Sequence, residues 1–304
     1  MIESFRQLIR RLKETPRQKI CVAPAGDETV LGTVRDVIDE GIAGALLVGN
    51  QEHIWRAACK ISLDLNRVEL VHEPDPDRAR LLAIKTVRDG GADVLMKGPE
   101  DSAGFLGAVA SPEGLGGGAL LSYLAAYEVP GFDRLIYVTD GGINAFPDFE
   151  EKVAILKNAI SFLHSVGIET PRVALLSANE KVTPKMPVTV EARKLVDMSH
   201  RGLITGALLE GPIALDVAVS REAARQKGIS DSVAANADLL FVPNIEVGSF
   251  MGQAAIHFAR GKMAAVVLGA PKPVVLAGRK ETPWGRVCSL ALACYASARS
   301  SGTK

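Results

Sequence analysis

The sequence predicts an α/β protein of two domains with mostly parallel sheets, and three observations carry this prediction. Short continuous apolar segments rich in Val, Ile, Leu and Ala recur along the chain, and most are separated by charged segments with helical periodicity. Continuous apolar strands spaced by helices are typical of parallel sheets that are covered on both faces. About ten such segments exceed what one compact sheet usually holds, which indicates two domains of the same type.

The chain opens with an amphipathic segment. Its apolar residues recur at helical spacing from Ile2 to Leu12, so we expect a helix there that Pro16 terminates. The predicted strands then follow in chain order. They are Ile20–Ala23, Ala45–Val48, Val68–Val71, Val94–Met96, Leu135–Val138, Val173–Leu176, Ala207–Leu209, Leu239–Val242, Ala264–Leu268 and Val274–Leu276.

Two changes of composition indicate where the chain bends or changes domain. Ser111–Gly118 is the most glycine-dense stretch and cannot be the interior of a regular element. Two prolines and a glycine in Gly269–Pro273 separate two closely spaced apolar segments. The segment after Leu268 is too short to fold alone, so we expect it to return to the first domain.

The composition is that of an ordinary folded chain. Of 304 residues, 47% are hydrophobic and 23% are charged, which excludes a disordered protein. The 35 Lys and Arg residues balance the 35 Asp and Glu residues, so no broad basic field is available for nucleic acid or an anionic membrane. We therefore expect neither nucleic acid nor a membrane as a partner.

Cysteine usage and the first residues predict a cytoplasmic protein. The four cysteines have no CxxC spacing, which argues against a zinc site and against a disulfide framework. Charges run through MIESFRQLIRRLKETPRQK, which does not read as a signal peptide. No apolar run reaches the length of about 18 residues that a membrane span needs.

Common catalytic and nucleotide-binding motifs do not occur. Gly114–Gly118 has neither the Lys-Ser/Thr ending of a Walker loop nor a GxGxxG pattern. The five histidines share no HExxH spacing, and there is no GxSxG elbow. The sequence therefore predicts no metal site and no hydrolase triad.

Small, amide and charged residues follow many of the predicted strands. In open parallel sheets, ligands bind beyond the carboxyl ends of the strands, so these positions are candidate site residues. The same residue types also form turns and helix caps, and that role is the better explanation of each position taken singly. The positions are Lys97–Gly98, Thr139–Asn144, Ser177–Lys181, Glu210–Pro212, Pro243–Glu246 and Ala277–Arg279.

Long phrases between Val71 and Arg279 match a known family. They read HEPDPDRAR, ADVLMKG, YEVPGFDRLIYVTDGGIN, EKVTPKMPVT, GALLEGPIALD, ADLLFVPNIEVG and GAPKPVVLAGR. With these phrases the chain resembles the phosphate acetyl/butyryltransferases, and most closely their butyryl branch. The phrases cover most of the chain, and VPNxExG together with EKVxPKMP is quite specific.

The resemblance implies a fold similar to that of the isocitrate and isopropylmalate dehydrogenases. In that fold, two α/β/α domains have mostly parallel sheets and the second domain is inserted into the first. The implied bounds are 1–124 with 267–304 for domain I and 125–266 for domain II. The resemblance also implies a homodimer or a larger homo-oligomer.

The activity implied by the resemblance is reversible transfer of a short acyl group, butyryl or acetyl, between coenzyme A and inorganic phosphate. The family reaction is a direct attack without an acyl-enzyme. It needs no metal and no cofactor, and coenzyme A takes part as a substrate. Such a reaction requires cations and N–H donors around the phosphate and a donor for the developing oxyanion. Positioning the two reactants can lower the barrier by about 7–11 kcal/mol.

The resemblance also implies site residues. Arg279 matches the family arginine that holds phosphate, and its rigid fork suits a tetrahedral anion better than a lysine would. With Asp140 and Lys181 it makes up the candidate catalytic set. Asp216 also matches, and we expect it to be structural. The candidate substrate-binding residues are Lys97, Gly98, Ser102, Asn144, Lys185, Asn244, Glu246 and Gly278.

The sequence departs from the family where phosphate should bind. Gly107 stands at the position of a family arginine, Gly114–Tyr123 lacks two more, and Gly278 replaces a serine. Three lost charge-assisted contacts would weaken phosphate binding by on the order of 5 kcal/mol. Glu100 and Asp101 add negative charge, either by competing with phosphate for Arg279 or by capping a helix that begins near Ser102.

Two alternatives stay open beside the acyltransferase. One is a degenerate family member that binds an acyl-CoA or another metabolite without phosphate-dependent turnover. The other is an NAD-dependent dehydrogenase of related fold, which would require a cluster of aspartates for a divalent metal and a nicotinamide site.

Overall fold

The computed structural model describes residues 2–278 and 281–301, and it confirms the predicted α/β class. The chain divides into two compact units. We call the described residues of Ile2–Leu121 and Met263–Lys304 the split unit, because two stretches of sequence form it. Ser122–Lys262 is the continuous unit, which is inserted into the sequence of the split unit.

Helices and strands alternate along most of the chain. In chain order they are α1 Phe5–Leu12, β1 Gln18–Ala25, α2 Glu28–Asp39, β2 Ala43–Gly49, α3 Gln51–Ile61, a short 3-10 helix Leu65–Arg67, β3 Glu69–His72, α4 Pro76–Arg88, β4 Val94–Lys97, α5 Ser102–Ala110, β5 Ser122–Glu128, β6 Ile136–Thr139, α6 Phe149–Ser165, β7 Arg172–Leu176, α7 Pro187–His200, β8 Leu208–Ile213, α8 Leu215–Val219, α9 Arg221–Gln226, β9 Leu239–Phe241, α10 Ile245–His257, β10 Lys262–Leu268, β11 Val274–Val275 and α11 Pro283–Ser301.

The sheet of the split unit is mostly parallel. Its strand order is β3-β2-β1-β4-β11-β10. Neighbouring strands run parallel except β10 and β11, which pair in the antiparallel direction. Gly269–Pro273, which the sequence marks as a change of composition, is the turn between these two strands, and Gly269 has a φ of +97° there.

Helix α1 forms as predicted but is shorter than the apolar pattern suggests. The Ser4 side chain caps its first turn by accepting a hydrogen bond from the Gln7 N–H. The helix ends at Leu12, before Pro16 is reached. Its apolar side of Phe5, Leu8, Ile9 and Leu12 is buried.

Helix α11 is the return segment that the sequence predicts. It packs against α1, α2 and β1 of the split unit. Val287, Leu290, Leu292, Cys294 and their neighbours on all sides of the helix are buried. A helix that is apolar all round belongs in the interior, so α11 forms part of the split unit's core.

The sheet of the continuous unit has the order β5-β6-β9-β7-β8. Strands β5 and β6 are antiparallel, and the other neighbours are parallel. Strand β5 was not predicted, because SYLAAYE contains no β-branched residue and follows the glycine-rich stretch. Within that stretch, Gly117 and Gly118 have positive φ angles, which agrees with the predicted bend.

One sequence expectation about strand ends is wrong. Glu210, Gly211 and Pro212 were expected to follow a strand, but they lie inside β8. The pairing of β7 with β8 shifts register between Ala174 and Leu176, so an extra residue of β8 is accommodated opposite β7. A glycine and a proline can therefore continue the strand instead of ending it.

No helix in the described part of the chain is both long enough and apolar enough to cross a membrane. None combines at least 18 residues with the apolar content that a bilayer core requires.

Candidate active site

Six of the predicted site residues follow three neighbouring strands of the continuous unit. Strands β6, β9 and β7 are parallel neighbours, with Thr139 opposite Phe241 and Leu175 opposite Phe241. Their carboxyl ends therefore share one edge of the sheet, which is where parallel sheets bind ligands. The residues that follow the strands there are Asp140, Asn144, Asn244, Glu246, Lys181 and Lys185.

Asp140 is a buried carboxylate that organises the chain after β6. Only 3% of the residue is exposed. One oxygen accepts hydrogen bonds from the N–H groups of Gly142 (2.8 Å) and Ile143 (3.0 Å). The other accepts from the Tyr123 N–H (3.0 Å) and from the Asn144 side-chain amide (2.7 Å). With both oxygens engaged, these contacts favour a role for Asp140 in shaping the segment rather than in proton transfer.

The first turn of α10 lies directly against this segment. The Ile245 N–H donates to the Ala145 carbonyl (3.0 Å), and the Asn244 side chain caps the helix by accepting from the Val247 N–H (3.1 Å). A Cβ on Gly248 would lie 2.5 Å from the Gly141 Cα. Glycine at position 248 thus lets the helix start, and with it Asn244, approach the segment that Asp140 organises.

The third group of residues lies on Ser177–Met186, which we call the lysine segment because it carries Lys181 and Lys185. Both of these lysines are exposed. The Lys181 N–H donates to the Asn179 side chain (3.0 Å), an Asx-type turn. The structure therefore presents two ammonium groups on a segment whose backbone is bonded to its own side chains.

Lys97 and Gly98 follow β4 in the split unit. Lys97 is buried, and its ammonium donates to the carbonyls of Gly98 (3.0 Å) and Glu100 (2.8 Å). A Cβ on Gly98 would lie 1.9 Å from the Pro24 carbonyl oxygen, so only glycine fits. The lysine thus stabilises the backbone that follows the strand.

Glu100 and Asp101, the two acids that follow β4, have different roles. Asp101 is the N-cap of α5 and accepts from the Gly104 N–H (2.8 Å), while Ser102 is the first helical residue and is exposed. Glu100 pairs with Arg80 at 2.7 Å, and both side chains are largely buried. Burial raises the pKa of the Glu100 carboxyl, and the Arg80 guanidinium partly offsets this.

Gly278 follows β11, the parallel neighbour of β4, so it shares the carboxyl edge of the split unit with Lys97 and Gly98. Arg279 lies outside the described residues. The Gly278 N–H donates to the Glu281 carboxylate (2.9 Å), and the Glu281 N–H donates to the Gly278 carbonyl (3.0 Å). Arg286 donates to the Glu281 carbonyl (2.7 Å) and to the Thr33 hydroxyl (3.0 Å). Glu281 therefore ties both sides of the arginine position to the core, a role that the sequence did not reveal.

Among residues 2–278 and 281–301, no group of three or more His, Cys, Asp and Glu side chains is placed to hold a metal ion.

Parallel strands with polar residues at their carboxyl edges define an α/β protein of the kind that binds ligands at such edges. The model of one family, described as "Phosphate acetyl/butaryl transferase", matches residues 75–294. The chain belongs to this family.

Curated relatives match over nearly the whole length. The chain is 42% identical to the phosphate butyryltransferase of Clostridium beijerinckii, covering 98% of this chain and 99% of that protein. It is also 42% identical to the phosphate butyryltransferase of Clostridium acetobutylicum, covering 96% and 98%. A solved structure, the branched-chain phosphotransacylase of Enterococcus faecalis, has a TM-score of 0.80 at 26% identity and covers 92% of this chain and 99% of its own. The resemblance seen in the sequence is thereby confirmed.

The close approach of α10 can be tested at Gly248. Gly248→Ala places a methyl group against the Gly141 backbone, and we expect a loss of about 1–3 kcal/mol in the free energy of unfolding. Gly32→Ala in α2 is the matched control, because nothing lies within 4 Å of its Cβ. That control should gain about 0.5–1 kcal/mol through helix propensity. Urea denaturation measures both, and equal effects of the two substitutions would contradict the packing described.

Glu281 should make stability depend on pH. Burial raises the pKa of its carboxyl above the ordinary 4.5, with the Gly278 N–H and Arg286 lowering it in part. The folded state therefore holds this proton more tightly than the unfolded state, and stability is lost as pH rises from 4.5 through the folded pKa. Glu281→Gln keeps an oxygen for Gly278 and removes the charge. Urea denaturation should show the variant gaining on the wild type as pH rises, whereas a difference that is independent of pH would refute this.

Proposed function

We propose that this chain is a phosphate acyltransferase that moves a short acyl group, butyryl or acetyl, between coenzyme A and inorganic phosphate. The observation that carries the proposal is the 42% identity to phosphate butyryltransferases over nearly the full length. The placement of Asp140, Asn144, Asn244 and the two lysines after parallel strands that share one carboxyl edge supports it.

The reaction joins a phosphate oxygen to the thioester carbonyl carbon and breaks the carbon–sulfur bond. The sulfur leaves as a thiolate that takes up a proton, and the products are an acyl phosphate and coenzyme A. A base is needed only in the reverse direction, to take the thiol proton. The protein has to hold two anionic substrates together and to stabilise the developing oxyanion.

The proposed roles follow the chemistry of each side chain. Arg279 holds phosphate, and Glu281 anchors the backbone on both sides of it through Gly278. Lys181 and Lys185 supply further positive charge at the sheet edge. Asp140 orients the Asn144 amide, while Lys97 and Gly98 shape the loop after β4. Ser102, Asn144, Asn244, Glu246 and Gly278 complete the proposed substrate-binding set.

The proposed organisation has domain I at 1–124 and 267–304 and domain II at 125–266. The division of the chain into compact units close to these bounds supports this. We also propose a homodimer or larger homo-oligomer, and the exposed Val247, Phe250 and Phe258 in and just after α10 offer an apolar face for such an assembly. A cytoplasmic location is proposed because the spacing of the four cysteines in the sequence argues against a disulfide framework.

The activity is tested by thiol release from butyryl-CoA with and without phosphate. We expect phosphate-dependent release, and we expect Arg279→Ala to lower kcat/KM about tenfold or more because one charge-assisted phosphate contact is lost. Arg299→Ala, at the far end of α11, is the matched control and should leave the rate unchanged. Background turnover together with no effect of Arg279→Ala would overturn the proposed function.

A second candidate is a degenerate member that binds an acyl-CoA without phosphate turnover. The pairing of Glu100 with Arg80 favours this candidate. A carboxylate of the chain neutralises a cation beside the loop after β4, so that this cation is not available to phosphate. In that case wild-type protein should bind coenzyme A and fail to release thiol in response to phosphate.

Restoring family-like residues tests whether the missing cations limit phosphate binding. Glu100→Val removes one of the two carboxylate partners of Arg80 and leaves Asp77. Asp101→Ser keeps a residue able to cap α5, and Gly107→Arg has open space for its side chain. We expect the triple variant to lower the KM for phosphate about tenfold, the value of one charge-assisted contact. The control carries Gly107→Gln in place of Gly107→Arg and should give no comparable gain. A folded triple variant with an unchanged KM would show that missing cations do not limit the site.

A further inference from the structure

Thr189 is a buried hydroxyl that none of the roles above uses. It lies in the first turn of α7, and the residue has no exposed surface. Its oxygen accepts a hydrogen bond from the Thr183 N–H (2.9 Å). Its hydrogen is within reach of two carbonyls, those of Met186 (2.8 Å) and Thr183 (3.2 Å). All of these contacts lie within the lysine segment or at its end.

These contacts close the part of the lysine segment that contains Lys185. Thr183 and Met186 form an isolated antiparallel bridge, and the Lys185 N–H points to the Thr183 hydroxyl at 3.4 Å. The buried Thr189 hydroxyl spans both sides of this small loop, so it fixes the backbone from which the lysine extends.

The other end of the segment is held by Glu180. Its carboxylate accepts from the Lys227 ammonium (2.9 Å) and from the Ala214 N–H (3.4 Å). Lys227 is partly exposed, and ion pairs of that kind contribute roughly 0.2–1 kcal/mol. The Thr189 hydroxyl is the fully buried one of the two anchors, and its 2.9 Å bond to the Thr183 N–H is shorter than the 3.4 Å bond of Glu180 to the Ala214 N–H. A buried N–H left without its partner costs more than an exposed ion pair contributes.

Lys181 and Lys185 lie on this anchored backbone with their charges available. Both residues are exposed, and within the described ranges 2–278 and 281–301 neither forms an ion pair. Two cations four residues apart on a fixed segment suit a group with several anionic oxygens. A fixed backbone also lowers the ordering cost that a mobile loop would add to binding.

We propose that Thr189 is a positioning residue that holds Lys185, on the same segment as Lys181, ready for a phosphate group of a substrate. This rests on the proposed function, in which both substrates carry phosphate groups. The group belongs either to coenzyme A or to inorganic phosphate, and separate kinetics for each substrate distinguish these sources.

The test compares Thr189→Val, which has the same shape without the hydroxyl, with Thr189→Ser, which keeps it. Thr189→Val should raise the KM for one substrate about fivefold, the value of one hydrogen bond, with kcat within about twofold of the wild type. Thr189→Ser should restore the KM. Thr86→Val is the control, because the half-buried Thr86 hydroxyl also donates to a backbone carbonyl, that of Leu82 (2.8 Å), and it should change neither constant.

A double-mutant cycle shows whether Thr189 acts through the lysines. In protein that carries Lys181→Gln and Lys185→Gln, Thr189→Val should have no further effect on the KM. A full fivefold effect in that background would overturn the proposal. So would an unchanged KM in the folded Thr189→Val protein for both substrates.

Calorimetric titration with coenzyme A and with inorganic phosphate separates this inference from the proposed function. If the wild type shows no phosphate-dependent turnover, the proposed function fails. Weaker binding of either ligand by Thr189→Val, restored in Thr189→Ser, would then still support the positioning role. Equal affinities of the wild type and Thr189→Val for both ligands would overturn it independently of turnover.

Discussion

A carboxylate taken out of water has to be surrounded by hydrogen-bond donors, and this constraint shapes the edge of the continuous unit. Asp140 meets it with backbone N–H groups and one amide from residues close to it in space. Each of these bonds fixes a part of the chain after β6. The start of α10 then packs on that chain because Gly141 and Gly248 have no side chains to keep them apart. The position of Asn144 thus depends on one buried carboxylate, and that of Asn244 depends on the two glycines that let α10 approach.

Much of the fold follows from the sequence. Continuous apolar segments identify most of the strands, because a strand covered on both faces needs apolar residues on both sides. The failures have physical causes. Strand β5 lacks β-branched residues, and β8 continues through a glycine and a proline that read locally as a turn. Its pairing with β7 decides the outcome, and pairing between distant segments is not visible in a local pattern.

The candidate site is predictable to the level of segments. Polar residues after strands identify which segments share the carboxyl edge, and the family phrases select particular side chains among them. What those side chains contact is not specified by the phrases or by the strand ends. Glu100 pairs with Arg80 from α4, and Asp101 alone caps α5. Glu281 bonds to Gly278 across the arginine position. Thr189 bonds to Thr183 within the phrase EKVTPKMPVT, which by itself does not show that this hydroxyl is buried.

The lysines of the candidate site are in two different environments, and Lys97 is the buried one. Its ammonium lies buried among backbone carbonyls. A cation bonded in this way contributes geometry to the loop after β4, and its charge is already spread over carbonyl dipoles. Lys181 and Lys185, in contrast, are exposed to water, and a ligand that binds them would have to displace only that water.

The burial of α11 has a consequence for the order in which the protein forms during synthesis. The core of the split unit includes this last helix, which packs on α1 from the beginning of the chain. The continuous unit is fully translated by Lys262, before α11 has been made. Domains generally fold as units as they emerge from the ribosome. The continuous unit can therefore complete its core before α11 of the split unit has been made. During that interval the apolar surfaces of α1 and β1 that later meet α11 are exposed, and such surfaces make a nascent chain prone to aggregation.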